Sequence, residues 1–343
     1  MTYTEKVMPT DDRFHVRNDD PYWNESSYVS FIAPEHNLQG MLYFYFRPNM
    51  NLAVGGPMIW DHTGQDVYDC LHYAWDQTMP IPDGADMYHF DLANGFSART
   101  GTPLREYHFT YRALGVEMDL TWTCIMEPHL MKLERQKINR GISDFLTDAE
   151  ELTVGHYEQA GRLRGTINLH GKIIEIACGS LRDHTWGPRP TLTTMERMRG
   201  AYPFCVADDQ NHFHLYAMSM LPCDDDPITG TTEQIVSGWY VKDGVKGDLV
   251  SGTRRCIERA PDGRPLREVI DATDHLGRIL HAEGELTTWF KFTLYSDWLD
   301  IFSLTRWRFD GREVWGEAQD YLLFRQFQKY VTRSSDDAVA LAH

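Results

Sequence analysis

The chain has 343 residues, 42% hydrophobic and 24% charged, a globular composition too long for one ordinary core. Its 33 Lys and Arg stand against 50 Asp and Glu, a net charge of −17, and no basic run is present to hold nucleic acid or an anionic membrane surface. Aromatic residues reach 13%, a richness that suits strands and the walls of apolar pockets.

Met1 to Phe14 is polar and lacks the apolar centre of a signal peptide. No later stretch approaches the roughly 20 apolar residues of a membrane span, so a cytoplasmic protein without a membrane span is expected. Met41 to Arg47 is apolar nearly throughout, as a strand buried on both faces would be. Val116 to Met126 alternates strictly: Val116, Met118, Leu120, Trp122 and Cys124 fall on one side, Glu117, Asp119, Thr121 and Thr123 on the other. Gln136 to Leu152 has room for a turn or two of helix, with Thr147 and Glu150 spaced as a capping box. Gly165 to Leu169 and Lys172 to Ala177 flank His170-Gly171, a hairpin signal.

The second half repeats the style. Asn211 to Met218 alternates, and Val236 to Val241 runs into Lys242-Asp243-Gly244. Leu266 to Ala272, Arg278 to Leu286 and Leu299 to Phe309 are further strands, separated by turns such as His275-Leu276-Gly277 and Asp310-Gly311. Tyr321 to Tyr330 reads as a terminal helix, with Leu323, Phe324 and Phe327 on one face. Cys70, Cys124, Cys178, Cys205, Cys223 and Cys256 are scattered without a C-x-x-C, which points to reduced, mostly buried thiols.

The phosphate-loop, dinucleotide, zincin and nucleophile-elbow motifs are missing, so no cofactor is expected. His212-x-His214 places two imidazoles on one strand face, but no matching carboxylate follows, and packing beside a pocket is preferred to a metal site. No metal ligand set is assigned.

The most informative run is Leu181-Arg182-Asp183-His184-Thr185-Trp186-Gly187-Pro188-Arg189. In an extended strand Arg182, His184 and Trp186 share one face, and Asp183 and Thr185 the other. Trp186 points inward, which draws His184 and Arg182 inside, where ionisable groups need partners or a purpose. For Arg182 and Asp183, strand-pinning ion pairs and a functional role stand level. For His184 with Trp186, an aromatic wall beside a titrating base favours function.

The R-D-H-x-W-G run, with Gly155-His156-Tyr157-Glu158-Gln159 before it, resembles the carotenoid hydratase-like superfamily, which includes hydroxyneurosporene synthases, AttH-like proteins and fungal Diels–Alderases. Asp20-Pro21-Tyr22-Trp23-Asn24-Glu25-Ser26 and Trp315-Gly316-Glu317 are similar to the beginning and close of its unnamed bacterial branch. The resemblance implies an all-β fold of two tandem lipocalin-like (calycin) barrel or sandwich domains with few helices. It divides the chain at 1–185 and 186–343, whereas composition alone suggests a break near Gln136 to Leu152. It also implies a hydrophobic small-molecule ligand (terpenoid, steroid or aromatic) in a pocket at the domain junction. This chain has Asn211-His212-Phe213-His214 where the family carries a later Tyr/Asp pair.

The expected activity is a cofactor-independent hydratase, lyase or isomerase, with a non-catalytic carrier and a cyclase or Diels–Alderase as alternatives. His184, Asp183 and Trp186 are the catalytic candidates: base, acid and cation-stabilising wall, the last worth roughly 0.5–2 kcal/mol. Arg182, Trp60, Trp75, Tyr157, Glu158, His212, His214 and Trp239 are candidates for substrate contact. Asp61, Asp76 and Asp297, each beside a tryptophan, and Glu158, after Tyr157, are alternative acids, and a homodimer is open.

Overall fold

The computed structural model describes residues 6–131, 155–189, 199–219, 232–295 and 298–328. Strands account for most of them. The first unit holds β1 Trp23–Ala33, β2 Leu38–Arg47, β3 Leu52–Asp61, β4 His72–Tyr73, β5 Asp76–Met79, β6 His89–Asp91, β7 Phe96–Thr102, β8 Glu106–Ala113, β9 Val116–Cys124, β10 His129–Leu130, β11 Gly155–Leu169 and β12 Lys172–Pro188. The second holds β13 Arg199–Ala201, β14 Phe204–Asp208, β15 Asn211–Ser219, β16 Thr232–Lys242, β17 Val245–Arg259, β18 Pro265–Asp274, β19 Ile279–Leu286, β20 Phe290–Tyr295, β21 Trp298–Phe309 and β22 Arg312–Leu323.

The sheet of the first unit runs β4-β3-β2-β1-β12-β11-β9-β8-β7-β6, antiparallel at every step. It rolls on itself: Phe44 of β2 meets Phe90 of β6 at 4.9 Å and Phe96 of β7 at 5.8 Å, ring to ring. Asn94, between β6 and β7, donates its amide to the Gly55 and Ala74 carbonyls and ties the roll. Both faces of β2 are therefore covered, which explains its continuous apolar run.

In the second unit the ladder β22-β14-β15-β16-β17-β18-β19-β21 returns to β22 through the β21–β22 pairing, a closed barrel. Closure leaves these strands no free edge. Phe213, Leu215, Tyr240, Ile270, Trp307 and Phe309 fill its core. The tandem all-β architecture expected from sequence is thus present. Among the described residues helix is confined to single turns at Pro9–Asp12, Pro34–His36 and Pro48–Met50 and one segment at 324–328.

The turns follow local chemistry. His170-Gly171, Asp243-Gly244 and Asp310-Gly311 all adopt positive φ and close two-residue hairpins. One expectation is corrected. Tyr321, Leu322 and Leu323 belong to β22, paired with Asp300, Leu299 and Trp298, and helix begins only at 324. A strand end buried on both faces carries no period-two signal, so it read as helical. The helix expected within 136–152, with Thr147 and Glu150, lies outside the described residues, as do Cys223 and Asp297. Among the described residues no disulfide joins the other five cysteines. No described helix is long and apolar enough to cross a membrane.

Candidate functional site

The register of β11 against β12 builds the centre of the first unit. Gln159 lies opposite Arg182, Tyr157 opposite His184, and Gly155 opposite Trp186. Cross-strand partners share a face, so alternate residues of the two strands form one inward surface. Arg182 and His184 are fully buried and Trp186 nearly so. The indole fits because its partner lacks a side chain: a Cβ on Gly155 would stand 2.1 Å from Trp186 Cζ2.

Two polar clusters occupy this surface, and the segment before β1 completes both. In the first, Arg182 Nη1 donates to Asp12 Oδ1 (3.1 Å) and Tyr88 Oη (2.7 Å), and Nη2 donates to Gln159 Oε1 (2.9 Å). Asp12 also accepts from the hydroxyls of Tyr157 (2.6 Å) and Tyr107 and from the Leu104 N–H (2.6 Å). The rings of Tyr88, Tyr107, Trp122 and Tyr157 surround the guanidinium at 4.3–5.4 Å. Burial alone would raise the Asp12 carboxyl, but Arg182 and the two phenols outweigh it and hold it below its ordinary value.

The second cluster is built on Glu25 of β1, fully buried. Its Oε1 accepts from the His15 backbone N–H (2.8 Å) and from Trp23 Nε1 (3.1 Å). Its Oε2 faces His15 Nδ1 at 3.0 Å and His184 Nε2 at 3.2 Å. Burial pushes this carboxyl up, but hydrogen bonds and charge from His15 and His184 prevail and bring it down to about 2. His15 stacks on Trp186 with centroids 3.9 Å apart and planes 9° apart. A carboxylate only accepts, so both imidazoles donate to it. With Nε2 of His184 so used, its buried Nδ1 has no hydrogen-bond partner.

Asp183 takes the opposite face of β12. Its Oδ1 accepts the Tyr28 N–H (2.7 Å) and its carbonyl accepts from Ser27 Oγ (2.7 Å). Register is unshifted here, Ser26 against Thr185 and Val29 against Arg182, so no bulge brings Asp183 to the side of His184. Burial raises the Asp183 carboxyl. Glu158, its cross-strand neighbour, is hydrogen-bonded to His156 (3.1 Å).

The remaining candidates lie elsewhere. Trp60 donates to Gln39 (3.3 Å), and Trp75 stacks on Tyr43 at 5.5 Å. Asp61, at the end of β3, accepts from the Thr63 N–H, and Asp76, at the start of β5, accepts from the Thr78 N–H, both in exposed hydrogen bonds. His212, His214 and Trp239 come together in the second unit: Trp239 Nε1 donates to His212 Nδ1 (3.0 Å), and His214 Nδ1 donates to the Pro203 carbonyl (3.1 Å). Sequence reasoning missed Asp12, His15 and Glu25. A glutamate sharing the Trp23 and Ser27 parity of an apolar strand was a readable signal for Glu25. The polar stretch holding Asp12 and His15 has no periodicity to read.

The family model described as Domain of unknown function (DUF7064) matches residues 8–319. No curated protein sequence matches the chain. Among solved structures, CghA with Sch210972 has a TM-score of 0.53 at 8% identity, over 88% of each chain. An AttH-like protein from Nitrosomonas europaea has a TM-score of 0.52 at 12% identity, over 94% of this chain and 98% of that one. Kievitone hydratase from Nectria haematococca has a TM-score of 0.49 at 12% identity, over 94% of each chain. The likenesses to CghA and to the AttH-like protein show a shared fold, in agreement with the fold group that the R-D-H-x-W-G run resembles.

Proposed function

The chain belongs to the DUF7064 family, a domain of unknown function, and we propose from its own side chains that it adds water to, or removes water from, a hydrophobic small molecule by acid–base chemistry at His184. The observation that carries this reading is a buried imidazole with one nitrogen fixed on a carboxylate and the other unpartnered. Glu25 holds the proton on Nε2, which leaves the Nδ1 lone pair as the base and stabilises the imidazolium formed. With an electron-poor double bond, water bonds to one carbon as its proton passes to Nδ1, and that proton then goes to the neighbouring carbon. Elimination runs the same transfers in reverse. These transfers call for no organic cofactor.

The aromatic surroundings support an aromatic, terpenoid or steroid substrate rather than a sugar or a nucleotide. Trp186 serves here by fixing His15, since one of its faces is already taken. Asp183 serves as an anchor between β1 and β12.

Once a ligand is identified by native mass spectrometry, Glu25→Gln and His184→Asn test the reading. Conversion should fall by about 10²–10⁴-fold while binding changes only severalfold. Unchanged conversion in both folded variants overturns it, and binding without conversion in the wild type makes the protein a carrier.

A further inference from the structure

The reading above gives His184 and Glu25 a task and leaves His15 without one. Two imidazoles converging on a single buried carboxylate oxygen is more than a proton relay needs. Glu25 Oε1 is fully engaged by two N–H donors, so Oε2 is turned toward the imidazoles. His15, Glu25 and His184 each offer one ligand atom, all within 4.8 Å of one another. Metal–ligand bonds of about 2.0–2.2 Å place neighbouring donors about 3.0–3.4 Å apart. The two carboxylate–imidazole separations, 3.0 and 3.2 Å, fall in that range.

We propose that His15, Glu25 and His184 bind one divalent transition-metal cation, held by His15 Nδ1, Glu25 Oε2 and His184 Nε2. Two imidazoles and one carboxylate form a ligand set for Zn²⁺ or Fe²⁺, and three protein ligands leave further positions for water or a substrate oxygen. The surroundings are those of a positioned site. Trp23 Nε1 and the His15 N–H orient the carboxylate, Trp186 fixes the His15 ring, and Asp11 Oδ1 stands 3.7 Å from His15 Nε2 as an outer partner. Glu25 has no Lys or Arg partner among its described hydrogen bonds and ion pairs, so a bound cation would take the place of the protons that the two imidazoles share with it. The Arg199, Arg254, Arg259, Glu233, Glu268 and Asp320 cluster is filled by its own guanidinium groups.

The proposal rests on the reading above only for its catalytic consequence, which is that a cation-bound water, rather than Nδ1 of His184, becomes the reacting group. The probe is Co²⁺ added to full-length, chelator-treated protein, followed by its visible d–d absorption and by metal analysis after gel filtration. One Co²⁺ per chain is expected, with the band lost in His15→Gln and Glu25→Gln. His15→Gln lies on the segment before β1 and is checked for folding by circular dichroism. Absence of stoichiometric Co²⁺, or a band that persists in folded His15→Gln, overturns the site. Chelated protein that binds no Co²⁺ yet keeps His184-dependent conversion overturns the cation and keeps the acid–base reading. One Co²⁺ per chain with conversion indifferent to Glu25→Gln does the reverse.

Discussion

Arg182 has no exposure: its Nη atoms bond a carboxylate, a phenol and an amide and four rings surround it, while its buried Nε has no hydrogen-bond partner. Its guanidinium is held well above its ordinary value, because electrostatic interaction with Tyr107, Tyr157, Tyr88 and the Asp12 carboxylate overcomes burial. Such a pair stabilises little against an apolar replacement, but losing one partner strands the other. Asp12→Asn should therefore cost about 3–5 kcal/mol in urea unfolding, and Arg182→Met a similar amount. The double variant should recover part of that loss, and strict additivity would show that the two do not act as a pair. Strand parity alone revealed that Arg182 points inward. Its partner was hidden, because Asp12 is reached across 170 positions from a stretch with no pattern.

At the scale of elements, the Gly155-His156-Tyr157-Glu158-Gln159 and Arg182-Asp183-His184-Thr185-Trp186 runs are complementary strands. The pairs Gln159–Arg182, Tyr157–His184 and Gly155–Trp186 give each residue of the second run's inner face a partner from the first. That explains why the two runs carry information together. Gly155→Ala should push the indole off His15, destabilise the unit by about 1–3 kcal/mol and shift tryptophan emission. An unchanged melt and spectrum would show that the indole has room to move. Most strands and the Asp-Gly turns were legible because alternation and positive-φ residues mark them. The Leu114-Gly115 hairpin turn was not, since leucine at φ 53° has no sequence signature.

At the scale of the whole molecule, each unit buries an arginine-centred ionic cluster of its own. In the second, Arg199, Arg254 and Arg259 meet Asp320, which they hold far below its ordinary value against the opposing effect of burial. A depressed carboxyl stabilises above its unfolded pKa and loses that contribution as pH falls, so Asp12 and Asp320 both make the fold acid-labile below about pH 4. His72 adds a separate window. Burial, with His170 nearby, lowers it from 6.5 to about 4. Between those values the unfolded chain takes up a proton that the folded chain refuses, so stability falls as pH drops. The loss in urea midpoint from pH 7 to pH 5 should shrink in His72→Gln, and an equal loss would remove His72 as the cause. The all-β class and tandem plan were readable from turn spacing and alternation. The site was half readable, because β12 announces itself while Glu25, His15 and Asp12 meet it only after folding. The reaction itself is tested most directly by mass spectrometry of small molecules carried by the purified wild type and by His184→Asn. The expected result is a hydrophobic pair differing by one water in the wild type, and only the unreacted member in the variant. The same ratio of the two compounds in both proteins would contradict hydration or dehydration at His184.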